Sequence, residues 1–232
     1  MRKRIVVFAN SDKNNAHCLA GKDIRTKEWI RPVTDEYGGA IPEEKAKMRN
    51  PHGIFNIKKL SKIDVSLDRR VPLPNQPENI LIGDGECFQN YNIGFDEIEE
   101  YVDLPDILWC NNSSSSIGKN DRILFDMIKN GTIKIEQSLY LIKISELRIT
   151  DSNDYSRRRE RAFFTYNNYD YRLVITDPFF KKDFYEYSNK TFIISGDIYL
   201  CISLGNVYDD GYCYKLIAGI HYDKNRIKII EC

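Results

Sequence analysis

Arg161-Ala162-Phe163-Phe164-Thr165-Tyr166, then Asn167-Asn168, then Tyr169-Asp170-Tyr171-Arg172-Leu173-Val174-Ile175-Thr176 is the stretch that decides the fold. Two runs rich in aromatic and β-branched residues flank two asparagines, and asparagine tolerates the left-handed φ that a two-residue primed turn demands. With Asn167-Asn168 as the tip of a hairpin, Tyr166 pairs with Tyr169, Phe163 lies opposite Arg172 and Arg161 opposite Val174. Strand alternation then gives one face to Ala162, Phe164, Tyr166, Tyr169, Tyr171, Leu173 and Ile175, which reads as core. The other face carries Arg161, Phe163, Thr165, Asp170, Arg172 and Val174. An aromatic ring flanked by guanidinium groups on a sheet surface is what a single-stranded nucleic-acid platform uses, bases stacking on the ring while arginine holds phosphate. The plain alternative is that Phe163 packs under a neighbouring element and Arg172 pairs with Asp170 or Glu160.

Outward from this hairpin the pattern stays β-rich. Arg4–Ala9, Ala16–Ile24 and Glu28–Val33 read as strands, the last two joined by Arg25-Thr26-Lys27, and Gly53–Leu60 as another. Residues 72–94, punctuated by Pro72, Pro74, Pro77, Gly83, Gly85 and Gly94, read as a loop-rich connection. Short helices are expected over Asp96–Val102, Asp121–Lys129 (Asn120 as N-cap, Gly131 just past the end) and Pro178–Tyr187. Further strands are expected at 138–144, 198–204, 212–222 and 226–231. The Asn111–Ser116 run is the best linker. This divides the chain into an N-terminal β part, 1–110, a linker and helix, 111–134, and a C-terminal β part, 135–232: two small barrels or one composite β fold.

Charge is uneven although the net charge is +0. Residues 1–70 hold 16 Lys/Arg against 9 Asp/Glu, residues 71–110 hold 9 acids and no Lys or Arg, and residues 111–232 hold 18 against 16. A basic N-terminal part is thus separated by an acidic belt from a nearly neutral remainder. No stretch approaches the ~18 apolar residues of a membrane span, and the six cysteines (18, 87, 110, 201, 213, 232) show no CxxC spacing. Free thiols in a reducing cytoplasm are the expectation. His17, His52 and His221 are far apart, so no metal site is expected. No HExxH, P-loop, GxSxG or Rossmann glycine run is present, so neither a cofactor nor a catalytic motif is indicated.

Other candidate contacts are scattered. Trp29 and Arg31 share a strand face with Val33, either as a cation–π pair or as a base and phosphate contact. Lys13 sits beyond the first strand, and Lys215 follows Tyr214 on a late one. Arg157-Arg158-Arg159-Glu160-Arg161 is a short basic run suited to backbone phosphate.

Ile5-Val6-Val7-Phe8-Ala9-Asn10-Ser11-Asp12-Lys13, Cys18-Leu19-Ala20-Gly21-Lys22 and Trp29-Ile30-Arg31-Pro32-Val33 resemble the opening of the prokaryotic dual OB-containing domain family. Pro77-Glu78-Asn79, Leu108-Trp109, the hairpin running on into Thr176-Asp177-Pro178, Ser203-Leu204-Gly205 and Tyr214-Lys215-Leu216-Ile217-Ala218 extend the likeness over nearly the whole chain. It implies a mainly β protein of two OB-like antiparallel barrels in tandem with a short helical and looped connection. It also implies nucleic-acid sensing or repair in bacterial and phage-defence settings, and it carries no catalytic residues over. The leading expectation is a module binding single-stranded DNA or structured RNA through Lys13, Trp29, Arg31, Arg161, Phe163, Arg172 and Lys215. The competing expectation is a nucleotide sensor or hydrolytic enzyme that draws on Glu78, Asp177 and Arg31 in a pocket between the halves.

Overall fold

Apolar residues at every second position drive the chain into short strands. The computed structural model, which describes residues 1–13, 16–154, 157–187 and 190–232, without the side chains of 12, 13, 151–154, 157, 158 and 186, closes these strands into two barrels. The described residues form two compact units, Met1–Tyr101 with Glu136–Ser138, and Val102–Ile135 with Leu139–Cys232. Strand makes up 53% and helix 9%, in the mainly β balance expected.

The first unit holds β1 (Arg2–Lys13), β2 (Ala16–Asp23), β3 (Trp29–Val33), β4 (Lys47–Asn50), β5 (Gly53–Asn56), β6 (Ser61–Arg70), β7 (Asn79–Ile82) and β8 (Cys87–Asn92). Neighbours run β1-β2-β3-β7-β6, and β6 returns to pair β1. Ile5, Val7, Leu19, Ile30, Ile63, Val65, Leu67 and Ile80 fill this ring. Beyond it, β8, β4 and β5 extend the sheet from β6. Two expectations change here. Gly53–Leu60 is a strand only over β5, and residues 72–94 are not merely loop but contain β7 and β8. Their prolines and glycines mark the turns, while Ile80 needs a buried slot and finds it in parallel pairing with β3. The expected helix at Asp96–Val102 is a 3-10 helix, Phe95–Tyr101.

The second unit holds β9 (Arg122–Leu124), α1 (Phe125–Lys129), β10 (Leu139–Asp154), β11 (Arg157–Tyr166), β12 (Tyr169–Ile175), α2 (Pro178–Asp183), β13 (Phe192–Val207), β14 (Tyr212–Tyr222) and β15 (Lys228–Glu231). Its ring is β10-β11-β12-β14-β13, closed by β13 on β10, around Ile142, Leu147, Ala162, Phe164, Tyr171, Leu173, Leu200 and Ile217. The helix expected over Asp121–Lys129 begins later than its polar start suggests. Arg122–Leu124 pair with β14, and Asn120, at φ 50, is a turn residue rather than a cap. In both rings the strands taken in chain order stand first, second, third, fifth, fourth, and the third and fifth are parallel. That is the five-stranded Greek-key barrel of the OB fold.

Candidate nucleic-acid interface

The hairpin turning at Asn167-Asn168 stands as read. Tyr166 pairs with Tyr169, Phe163 with Arg172 and Arg161 with Val174, and Asn167 and Asn168 both have positive φ, 46° and 64°. Ala162, Phe164, Tyr171, Leu173 and Ile175 line the barrel interior, while Tyr169, at the tip, is exposed rather than core. β11 and β12 are the second and third strands of their ring, whose outer face is where OB folds take oligonucleotides.

On that outer face β10 adds a residue the sequence reading missed. Arg148 pairs with Phe163 from the side opposite Arg172, so one row across three strands reads Arg148–Phe163–Arg172. Arg148 is exposed, Phe163 and Arg172 half-buried. The Arg172 guanidinium donates to Thr150 Oγ1 at 3.4 Å. Lys119 reaches the same row from another segment: its backbone pairs with that of Arg172, its Nζ lies 6.0 Å from the Phe163 ring, and it bonds Asp170 at 2.7 Å. The Lys119 and Thr165 hydrogen bonds hold the Asp170 carboxyl below its ordinary pKa. Among the described residues neither Arg148 nor Arg172 is paired with a carboxylate, so their charge is available to a polyanion.

Three expected contacts are not surface groups. Arg161 shares the outer face by register but is 4% exposed. Asp121 lies over it, Oδ2 3.9 Å from Nη1, and is itself held by Ser115, whose N–H and hydroxyl donate at 2.7 and 2.5 Å. Lys215 points inward at the barrel end and is 1% exposed. It donates to the Cys110 carbonyl and sits 5.4 Å from the centre of the Tyr171 ring, and burial pushes its pKa down to about 8. In the first unit Trp29 is buried against Phe8 at 6.1 Å, with Lys22 Nζ 5.0 Å from its ring. The 3-10 helix closes over this cluster: Tyr101 packs on Phe8 at 5.3 Å and its carbonyl accepts from Lys22 Nζ at 2.7 Å. Arg31 is mostly buried and turned toward Glu78 and Ser138. The side chains of Lys13, Arg157 and Arg158 lie outside the described residues, and Arg159 is exposed.

The acids proposed for chemistry are likewise engaged. Arg31 and Glu78 do meet, brought together by the parallel pairing of β3 with β7. Arg31 Nε is 3.5 Å from Glu78 Oε1, Arg31 Nη2 donates to Ser138 Oγ at 2.8 Å, and the Ser138 hydroxyl and N–H both donate to the Glu78 carboxylate. Asp177, fully buried in the second unit, caps α2 by accepting from the Phe179 and Phe180 N–H groups and also holds the Ile220 N–H at 2.8 Å. Those bonds account for the Thr-Asp-Pro segment as a structural corner.

Two closed barrels with this strand order make the chain a tandem OB-fold protein. It belongs to the dual OB-containing domain family, whose sequence profile matches residues 3–220. No curated protein matches it.

Proposed function

We propose that the chain binds nucleic acid, and that the outer face of β10, β11 and β12 in the second unit is the contact surface. The row Arg148–Phe163–Arg172 supports this reading. It sets an aromatic ring between two cations on the strands an OB barrel uses for oligonucleotides. Bases stacking on Phe163 supply an attraction indifferent to sequence, and the guanidinium groups supply one that weakens with salt.

Fluorescence anisotropy with a short labelled oligonucleotide, in DNA and RNA forms and at several salt concentrations, tests it. Phe163→Ala is expected to weaken binding by roughly 1–3 kcal/mol. Arg148→Ala and Arg172→Ala should each weaken it and flatten the salt dependence by about 0.7 in log–log slope, the value for one lost phosphate contact on a single strand. Unchanged affinity in all three variants, measured per folded molecule, would overturn the assignment.

A further inference from the structure

The first unit carries a second surface of the same chemistry, made by the strands that lie beside its ring. Register places Arg4 opposite Asp64, Asp64 opposite Phe88, Phe88 opposite Arg49 and Arg49 opposite Ile54, one row over β1, β6, β8, β4 and β5. Paired residues share a face, and the intervening Ile63 and Val65 point into the barrel, so this row faces outward. Phe88 is 36% exposed and Tyr91, which pairs with Lys62 further along β8, is 50% exposed. Each ring already holds a cation: the Arg2 guanidinium lies 5.1 Å from the centre of Phe88, and Lys62 Nζ 4.2 Å from that of Tyr91.

Charge on this face is positive after pairing. Arg4 is bidentate on Asp64 at 2.6 and 2.8 Å, and Arg49 bidentate on Glu86 at 3.0 and 2.7 Å, so those four groups cancel. Arg2 and Lys62 remain as surplus, and they are the cations beside the two exposed rings. This gives local form to the basic excess of residues 1–70. Duplex bases are stacked on each other and present no free ring face, whereas unpaired bases do.

We infer that this face is a second binding site, for an unpaired stretch of nucleic acid that lays one base on Phe88 and another on Tyr91 while Arg2 and Lys62 meet its phosphates. The inference rests on the nucleic-acid reading above but on different residues in the other unit. Isothermal titration of the full chain with a six-nucleotide oligothymidylate, repeated with oligouridylate and with a blunt duplex, tests it. Two short single strands per chain are expected for the unaltered protein, and the duplex should lack the site on Phe88 and Tyr91. Phe88→Ala with Tyr91→Ala should leave one site, and Phe163→Ala should weaken the other ~10-fold or more. Arg2→Ala with Lys62→Ala, which deletes no ring, should weaken the same first-unit site with a shallower salt slope and serves if the aromatic variant fails to fold. One strand per chain from the start that Phe163→Ala weakens and the first-unit variants do not, or two remaining after both first-unit double variants, would overturn this site and leave the second-unit reading standing. Loss of binding through Phe88 and Tyr91 with no effect of Phe163→Ala would support this site and sink the other.

Discussion

Between its third and fourth ring strands the first unit inserts a hairpin, β4–β5, whereas the second inserts the helix α2 and a 3-10 turn, Tyr185–Tyr187. The hairpin widens a sheet and with it an exposed face; the helix buries Phe180 and Phe184 against the barrel. On β2 and β11, the second strand of each ring, a buried cation faces outward, Lys22 or Arg161, and in each unit another segment of the chain covers it. The coverings differ. Lys22 donates to the Tyr101 carbonyl and lies over the Trp29 ring, while Arg161 meets the Asp121 carboxylate. Arg4 and Arg49 on the first unit's open face are neutralised two-pronged by Asp64 and Glu86, which lie below their ordinary pKa for that reason. Arg148 and Arg172 on the second unit's face have no such partner among the described residues. Equal topology therefore does not mean equal surfaces: Arg4 and Arg49 on the first unit's open face each meet a carboxylate, and Arg148 and Arg172 on the second unit's face meet none among the described residues.

The largest effect should separate the covered Arg161–Asp121 pair of the second unit from the exposed Arg4–Asp64 pair of the first. Asp121→Ala removes the carboxylate that lies over the buried Arg161, and deleting one partner of a buried ion pair costs about 3–5 kcal/mol. Arg4→Ala breaks an exposed bidentate pair whose attraction solvent screens, so it should cost far less. Calorimetric melts of the two variants, analysed for each transition, should show a large drop for the first and a small one for the second. Similar drops in both would break the contrast.

A second test uses pH. Burial lowers the Lys215 pKa from 10.5 to about 8, with Cys110, Asp121 and Tyr171 around it. Between about pH 8 and 10.5 the unfolded chain holds a proton on this lysine that the folded one has released, so this group's contribution makes stability rise with pH in that window. Below pH 8 the penalty is present in full; its relief amounts to about 3 kcal/mol at most. Raised pKa values of Cys110, Cys213 and Tyr171 oppose the trend, since those groups stay protonated in the fold. The readout is therefore a difference: chemical denaturation at pH 7.5 and 9.5, for the unaltered chain and Lys215→Met. The unaltered chain should gain on the variant as pH rises. A constant gap would mean that Lys215 is not desolvated as its position implies.

Hairpin register and the alternation of β11 and β12 were legible because both are local: two asparagines fix the turn and the period of two sorts the faces. β6 carries the same signal, Ile63, Val65 and Leu67 between Lys62, Asp64 and Ser66, which the sequence reading passed over although it places Lys62 outward. Arg148 was hidden by a register shift between Ile144 and Glu146, which breaks the alternation just where β10 seemed to end. Burial of Trp29, Arg161 and Lys215 was illegible for another reason. What covers them, Tyr101, Asp121 and the Cys110 carbonyl, lies between 40 and 105 positions away along the chain, beyond any periodicity. Phe88 and Tyr91 went unread because prolines and glycines around β7 and β8 looked like continuous loop.

The smallest effect compares the two hairpins that join second and third ring strands. In the second unit the turn needs positive φ at both Asn167 and Asn168, and Asn-Gly is the most favoured pair for such a turn. Asn167 Nδ2 also donates to the Pro105 and Asp106 carbonyls, so the second position is the one to alter. Asn168→Gly should shift stability by no more than ~0.5 kcal/mol, the easier φ offsetting the extra freedom of the unfolded chain. In the first unit Lys27 takes φ 60 without being glycine, and Asp23 Oδ1 steadies the turn by accepting from the Arg25 and Thr26 N–H groups at 2.8 and 3.3 Å. Lys27→Gly relieves a left-handed residue, worth about 1–2 kcal/mol. It also forfeits the cation 3.6 Å from the Tyr101 ring centre, about 0.5–1 kcal/mol where partly exposed, and adds glycine's unfolded-state freedom. Its net change should likewise fall near zero. Urea midpoints at constant m-value measure both. A loss above ~1 kcal/mol for Asn168→Gly would show that its side chain holds more than the turn, and a comparable loss for Lys27→Gly would make the cation on Tyr101 a principal fastening of the first unit's cover.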